Sequence, residues 1–272
     1  MDTAPKKLTA VALRKRKRPA ADPIVMLTAY DFPTARALDS AGVDILLVGD
    51  SLAMVVLGYE STLPVTMDEM LHHTRAVARA RPRALVVGDM PWMSYHAGVP
   101  EAVTNAGRFI KEAGADAVKL EGGIERLEVI RAVVSAQIPV MGHLGLTPQS
   151  VLKFGGYRVQ GRGEAAVSAL MESARALEEA GCFAIVLEGV PRAAARSITE
   201  AVTIPTIGIG AGPDTDGQVL VIHDLAGFGG EVVPRFVRRY AEVGATLTDA
   251  ARRFADDVRS GRYPNDSETY PE

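Results

Sequence analysis

EAGADAVKLEGG, at residues 112–123, recurs almost unchanged as EAGCFAIVLEGV at residues 179–190. Each copy has the pattern of a helix end, a glycine that stops the helix, a short apolar run and a terminal glutamate. A short run of Val, Ile and Leu between such signals is typical of a strand buried on both faces. The two copies therefore predict one strand–helix unit that is used repeatedly in this chain.

The same unit extends over most of the sequence. Eight apolar runs predict strands at residues 24–27, 44–48, 84–87, 117–120, 139–141, 183–187, 205–207 and 219–222. Helical patterns lie between most of them, at residues 34–41, 66–80, 101–113, 124–135, 164–180 and 192–202. Eight repeats of one βα unit predict a TIM (β/α)8 barrel. An open doubly wound sheet is the alternative, but no G-x-G-x-x-G follows the first strand.

The chain has 272 residues, which suits one barrel domain, and no linker divides it. We expect a single domain over residues 1–272, with an N-terminal arm and helix at 1–22 and a tail at 261–272. The polar segment after Asp224 is predicted to be helical to about Ser260.

Composition limits the classes of partner. The net charge of −3 gives no general reason to expect nucleic acid or a membrane as a partner, and no run of about 18 apolar residues is present. A single cysteine, Cys182, excludes an intrachain disulfide, and the N-terminal sequence lacks the pattern of a secretory signal. We therefore expect a cytoplasmic protein.

A run of five basic residues, Arg14-Lys15-Arg16-Lys17-Arg18, has two interpretations. It could be a nuclear signal or a nucleic-acid patch. It could also be the charged C-terminal end of a short helix that begins near Thr9. The mildly acidic remainder of the chain favours the helix end.

Acidic residues stand at the ends of four of the apolar runs: Asp50, Asp89, Glu121 and Glu188. If the strands are parallel neighbours, these carboxylates meet at one end of the sheet and repel each other. A divalent cation or shared protons would relieve the repulsion, and hard oxygen ligands are those that Mg²⁺ prefers. The sequence therefore predicts a metal-centred active site. The alternative is that each aspartate caps the helix or loop that follows it.

Two further residues are candidates for chemistry. Lys119 lies two positions before Glu121, so both side chains point to the same face of a strand, which is the barrel interior. Lys119 then pairs with carboxylates or an anionic substrate, or it forms a purely structural ion pair. His143, after the fifth strand, either donates a hydrogen bond to substrate or is a structural donor.

Two long loops follow strands two and five, where barrel enzymes carry their sites. The second, residues 144–163, contains glycines around Tyr157 and Arg162 and is predicted to be a mobile lid.

The sequence resembles the 3-methyl-2-oxobutanoate hydroxymethyltransferase (ketopantoate hydroxymethyltransferase) family over about residues 28–223. The motifs that carry the resemblance are MLTAYD (26–31), VGDS (48–51), ESTLPVTMDEM (60–70), KLEGG (119–123), GHLGLTPQSV (142–151), FGGYRVQGRG (154–163) and IGIGAG (207–212). GHLGLTPQS followed by FGGYRVQGRG is highly specific.

The resemblance implies a Mg²⁺-dependent TIM barrel that moves a one-carbon unit from 5,10-methylenetetrahydrofolate to α-ketoisovalerate, on the way to pantothenate. It implies metal carboxylates at Asp50, Asp89 and Glu121 and Glu188 as the proton acceptor. It implies ketoacid contacts from Asp50, Ser51, Asp89 and Lys119. It also implies a large homo-oligomer, such as a decamer.

Two rival functions share parts of this pattern. A lyase or mutase of the same superfamily would use the same metal and enolate chemistry, but those enzymes generally carry a catalytic cysteine loop, and none is present. A non-catalytic barrel would serve in binding or assembly, which Lys119, Glu121 and Glu188 argue against.

Overall fold

The computed structural model of the protein describes residues 6–228 and 233–271. The chain forms two compact units, Met1–Val221 and Ile222–Glu272. That the whole chain is one domain stays a prediction.

The first unit is a closed barrel of eight parallel strands that follow one another in chain order, with the last strand paired to the first. The strands are β1 Ile24–Thr28, β2 Ile45–Val48, β3 Leu85–Asp89, β4 Ala117–Glu121, β5 Val140–Gly145, β6 Ala184–Glu188, β7 Thr206–Ile209 and β8 Gly217–Leu220. All eight predicted strands are present within a few residues of their expected bounds. The TIM barrel is confirmed, and the open-sheet alternative is wrong.

Helices follow most strands. In this unit they are α1 Ala10–Arg14, α2 Phe32–Ser40, α3 Leu52–Val55, α4 Met67–Ala78, α5 Val99–Lys111, α6 Leu127–Ser135, α7 Val151–Phe154, α8 Glu164–Glu179 and α9 Arg192–Ala201. Short 3₁₀ helices lie at Ile124–Arg126 and Pro148–Ser150.

Local signals fix several helix ends. Thr66 and Glu69 form a reciprocal capping box at the start of α4. The glycine stops of the repeated unit, Gly114 and Gly181, have φ values of 74° and 101°. Such left-handed values favour glycine, so both copies of the repeat end their helices by the same means.

The barrel core is built by alternation along each strand. Inward positions near the strand starts are apolar and form one buried cluster, which includes Ile24, Met26, Ile45, Leu47, Leu85, Val87, Ala117, Met141, Ala184, Val186, Ile207 and Val219. Ala10 and Leu13 of α1 belong to the same cluster, so α1 closes the barrel at the N-terminal ends of the strands.

The basic run lies at this N-terminal end. Thr9 caps α1, as expected, but the helix ends at Arg14. Arg16 then pairs with Asp44 at 2.7 Å, and Lys17 pairs with the buried Asp216 at 2.8 Å. Both aspartates directly precede strands. Part of the basic run therefore holds the N-terminal arm against the N-terminal ends of the strands and is not only a solvated helix end.

The second unit contains α10 Ile222–Ala226, α11 Val243–Arg259 and a 3₁₀ helix at Asp266–Glu268. The prediction of one helix from Asp224 to about Ser260 is wrong in its middle, because α10 ends at Ala226 and residues 233–242 are not helical. Its part at residues 229–232 lies outside the described residues. None of the helices within residues 6–228 and 233–271 has the length and apolar character that crossing a membrane requires.

Candidate active site

Polar side chains replace apolar ones at the inward positions near the C-terminal ends of β3 to β6. In β3 Asp89 follows the inward Leu85 and Val87, and in β4 Lys119 and Glu121 follow Ala117. In the same alternation, His143 follows Met141 in β5 and Glu188 follows Val186 in β6. The strand period of two therefore stacks an ionisable layer on the apolar core.

Asp89 and Lys119 form a buried ion pair across two neighbouring strands. They are direct partners in the β3–β4 register, and Lys119 Nζ donates to Asp89 Oδ1 at 2.7 Å. Burial alone would lower the Lys119 pKa, but the carboxylates of Asp89, Glu121 and Asp50 outweigh it and raise the pKa above the ordinary lysine value. The predicted inward orientation of Lys119 and its pairing with a carboxylate are confirmed.

Asp50 lies two residues beyond β2, beside this pair. Its backbone N–H donates to Asp89 Oδ2 at 3.2 Å. Burial raises the pKa of the Asp50 carboxyl well above its usual range, and the charges of Asp89 and Glu121 raise it further. The structure therefore contains the carboxylate repulsion that the sequence predicts. Asp50, Asp89 and Lys119 together form the aspartate group.

Glu121, His143 and Glu188 form a second set, the glutamate group. His143 Nδ1 lies 3.5 Å from Glu121 Oε1, and His143 Nε2 lies 3.3 Å from Glu188 Oε2. Neither contact has hydrogen-bond geometry, so both ring nitrogens and Glu121 Oε1 are buried without a hydrogen-bond partner among the described residues. Unsatisfied buried polar atoms of this kind face a ligand or water in most proteins.

The charge of His143 follows from its position between two acids. Burial and Lys119 lower its pKa, but Glu121 and Glu188 outweigh them and raise the pKa to about 9. His143 lies inside β5, whereas the sequence placed it after that strand.

Glu188 is the most open member of the glutamate group, with 18% of its side chain exposed against 3% for Glu121 and His143. It ends β6 and faces the C-terminal mouth of the barrel. Its register partner on β5 is Gly145, whose φ is 97° and at whose α-carbon a side chain would collide with the Glu188 carbonyl oxygen.

Sequence reasoning missed two residues, Gln149 and Tyr95. Gln149 Nε2 donates to Asp50 Oδ2 at 2.9 Å, and its backbone N–H donates to Glu121 Oε2 at 3.0 Å. Tyr95 OH donates to Gln149 Oε1 at 2.6 Å and accepts from the Glu121 N–H at 3.2 Å. Gln149 lies in a single 3₁₀ turn and Tyr95 in a loop, and both are uncharged, so neither periodicity nor charge identified them. For Gln149 the available signal was its place in the GHLGLTPQS motif; Tyr95 had none.

Ser51 stands beside the aspartate group without joining it. Its hydroxyl lies 2.9 Å from the hydroxyl of Tyr30. On the other side of the mouth, the predicted lid loop reaches α3, where Tyr157 OH contacts Met54 Sδ at 3.7 Å. Burial raises the pKa of Tyr157, and the charges of Asp50, Glu188 and Glu121 add to the effect.

The residues suit a cation held partly by water. Among the described residues, no three His, Cys, Asp or Glu side chains are grouped closely enough to enclose a metal ion. Mg²⁺ does not need such a cage, because it is usually held by one or two carboxylates together with waters and substrate. Asp50 fits that role: its Oδ1 receives no hydrogen bond from any described residue, and its carboxylate faces two other negative charges. The donor set is therefore compatible with Mg²⁺ at Asp50 and Asp89.

Comparison with known proteins gives a consistent result. The sequence profile of the family described as ketopantoate hydroxymethyltransferase matches residues 7–266. A 3-methyl-2-oxobutanoate hydroxymethyltransferase of Pelobacter propionicus is 59% identical over 247 residues, covering 91% of this chain and 91% of the relative. The enzyme of that name from Geobacter metallireducens is 51% identical over 265 residues, covering 97% of this chain and 99% of the relative.

Solved structures share the fold at lower identity. A 2,3-dimethylmalate lyase, described as a member of the PEP mutase/isocitrate lyase superfamily, is 19% identical with a TM-score of 0.58, covering 97% of this chain and 92% of that one. A phosphonopyruvate hydrolase solved with oxalate and Mg²⁺ is 15% identical with a TM-score of 0.63, covering 97% and 92%. At these identities the likeness shows a common barrel and nothing of the chemistry.

Proposed function

The chain belongs to the ketopantoate hydroxymethyltransferase family of enzymes, and from this premise we propose that it forms ketopantoate by hydroxymethylating α-ketoisovalerate. The one-carbon donor is 5,10-methylenetetrahydrofolate and the metal is Mg²⁺. The observation that supports the proposal is the ionisable layer at the barrel mouth, which brings together a buried lysine, three buried carboxylates and one more open glutamate.

The aspartate group would hold the ketoacid end of the substrate. Asp50 and Asp89 would hold Mg²⁺, with Glu121 bound directly or through water. Bound there, Mg²⁺ supplies a Lewis acid that stabilises negative charge on the keto oxygen. Lys119 has three ammonium donors and uses one on Asp89, so the others are available to the substrate carboxylate. Ser51 would contact the same end of the substrate.

Glu188 would act as the base. It lies at the mouth of the barrel and remains open to a ligand, which suits removal of the C3 proton of α-ketoisovalerate. His143 would orient the Glu188 carboxylate and donate to substrate through its unsatisfied ring nitrogens. C3 would then bond to the methylene carbon as one C–N bond of the folate breaks. A water admitted afterwards would replace the second C–N bond, which leaves the hydroxymethyl group on the product and releases tetrahydrofolate.

The lid at residues 154–163 would exclude water while the C–C bond forms. Its Tyr157 already contacts Met54 of α3, so the loop bridges two sides of the mouth. Closure would protect both the enolate and the reactive methylene carbon from water.

The position of the cysteine does not favour the rival lyase or mutase reaction. Cys182, the single cysteine of the sequence, is fully buried just before β6, and burial raises its thiol pKa to about 12. A thiol so placed lies at the opposite end of the strand from the mouth and is a poor acid or base at neutral pH.

The test is product formation by the purified protein. With α-ketoisovalerate, methylenetetrahydrofolate and Mg²⁺ we expect ketopantoate by mass spectrometry, and no product when any one is omitted or EDTA is added. Asp89→Ala should abolish most of the Mg²⁺-dependent rate, whereas Glu200→Ala, which changes an exposed carboxylate on α9, should not. Ketopantoate formation that persists in metal-free buffer would overturn the metal assignment.

Two other expectations, the oligomeric state and the cellular location, remain proposals. The family resemblance implies a homo-oligomer such as a decamer, and the composition favours the cytoplasm. Sedimentation of the purified protein would test the first.

A further inference from the structure

Gln149 is the one described residue that hydrogen-bonds both the aspartate group and the glutamate group. Its side chain donates to Asp50 Oδ2, and its backbone N–H donates to Glu121 Oε2. One carboxylate follows β2 and the other ends β4. One residue therefore sets their separation from a third place in the chain, the 3₁₀ helix Pro148–Ser150.

The orientation of the Gln149 amide is fixed by its other partners. Its Nε2 also donates to the Met90 carbonyl oxygen at 3.0 Å, and a carbonyl can only accept. Its Oε1 accepts from Tyr95 OH. A flipped amide would set its oxygen against two acceptors, the Met90 carbonyl and the Asp50 carboxylate, so the NH₂ group faces Asp50.

Tyr95 completes a closed circuit. Its hydroxyl accepts from the Glu121 N–H and donates to Gln149, whose own N–H returns to the Glu121 carboxylate. Both side-chain polar atoms of Gln149 and the Tyr95 hydroxyl are used, and of the circuit's side-chain atoms only Glu121 Oε1 has no hydrogen-bond partner among the described residues. Buried networks that are satisfied to this extent restrict the geometry of their members. Gln149 also lies near the start of the segment at residues 146–163. The same residue therefore holds that segment and the two carboxylates in place.

We propose that Gln149 is a positioning residue, which holds the Asp50 carboxylate at a fixed distance and orientation from Glu121, and that Tyr95 acts through Gln149. The inference rests on the proposed function, because it assigns the purpose of that geometry to Mg²⁺ binding. Residues that hold metal ligands in place commonly change metal affinity or activity by about 10-fold to 100-fold when they are replaced.

The test is a double-mutant cycle with metal affinity as the readout. Gln149→Met keeps the length of the side chain and the backbone N–H but removes the bonds to Asp50, Met90 and Tyr95. Mg²⁺ titrated calorimetrically into this variant should bind about 10-fold more weakly than into the wild type. Tyr95→Phe should weaken binding less, and the double variant should lose less than the product of the two single losses.

The control is Thr199→Val, which removes a buried hydrogen bond to Thr206 far from the mouth. It should lower the melting temperature by an amount similar to Gln149→Met and leave Mg²⁺ affinity unchanged. A Gln149→Met dissociation constant within twofold of wild type, losses that multiply, or weaker Mg²⁺ binding by Thr199→Val would each overturn the inference while ketopantoate formation stands. A wild-type protein that neither binds Mg²⁺ nor forms product would overturn the proposed function as well.

Discussion

Lys119 Nζ lies 2.7 Å from Asp89 Oδ1, in a pair whose side chains are 4% and 2% exposed. The two residues are register partners on neighbouring strands, so the backbone pairing itself sets their contact. A pair this buried is costly to create from water, and removing one partner leaves the other charge uncompensated. The pair is therefore a sensitive place to separate stability from function.

Replacing Lys119 with Met should destabilise the protein and weaken ketoacid binding. We expect a loss of about 3–5 kcal/mol in the free energy of unfolding, since Asp89 is left buried and unpaired, and a raised KM for α-ketoisovalerate. Urea unfolding and steady-state kinetics measure the two effects. In the double variant Lys119→Met/Asp89→Asn stability should recover in part and activity should not; recovery of both would mean that the pair is purely structural.

Replacing Glu188 with Gln should remove the base and keep the fold. The amide retains size and hydrogen bonding, so Mg²⁺ and α-ketoisovalerate should bind nearly as in the wild type, while turnover falls by about 10²-fold to 10⁴-fold. The decisive measurement is exchange of deuterium from C3 of labelled ketoisovalerate into water, with and without folate. Exchange at the wild-type rate would exclude Glu188 as the base and make His143 the next candidate.

The charge of His143 predicts a pH dependence of stability in metal-free protein. Its pKa is raised to about 9 in the fold, against about 6.5 in the unfolded chain. The folded state therefore holds the proton more tightly, and the stabilisation is fully present below about pH 6.5 and is lost as the pH rises through about 9.

Replacing His143 should remove its share of this slope; Asp50, whose pKa is also raised, adds a contribution of the same sign. With EDTA present, urea unfolding between pH 6 and 10 should show the free energy falling with pH, by at most about 1.4 kcal/mol per unit. His143→Gln should flatten this contribution, and His72→Gln, at an exposed position on α4, should not. An unchanged slope in His143→Gln would mean that another group titrates.

Replacing Lys17 with Met should destabilise the barrel without affecting the mouth. Asp216 is fully buried and loses its cationic partner, for which we expect about 3 kcal/mol, the lower end of the range for buried pairs because Lys17 is partly exposed. Arg196→Met breaks the exposed pair with Glu200 and should cost less than about 1 kcal/mol. Denaturation and kcat measured on both variants give the comparison; a large fall in kcat for Lys17→Met would show coupling to the site.

The fold and the charged part of the site were predictable because their signals are local. Apolar runs, glycine stops and terminal acids are adjacent in sequence, and the strand period carries Lys119 and Glu121 to the same face. Strand ends were less certain where glycine occurs inside a strand. Gly88 lies within β3. A side chain at this position would collide with Phe109 of α5, so the glycine allows the helix to pack closely on the strand and does not end the strand.

What the sequence did not reveal depends on contacts between distant residues. Gln149 meets Asp50 across 99 positions and Tyr95 across 54. Uncharged side chains in loops and in single 3₁₀ turns show no periodicity from which such contacts could be predicted. The basic run was placed at a helix end for the same reason, since its partners Asp44 and Asp216 lie elsewhere in the chain.

The ion pair between the N-terminal arm and Asp216 also limits the order in which contacts can form during synthesis. Lys17 leaves the ribosome 199 residues before Asp216, the aspartate that it pairs with. Until β8 is synthesised, α1 has an apolar face but no complete barrel to pack against. Contacts between residues so far apart in sequence form late and slowly. The arm is translated first and can pair with Asp44 early, yet its contact with Asp216 is one of the last that the chain can make.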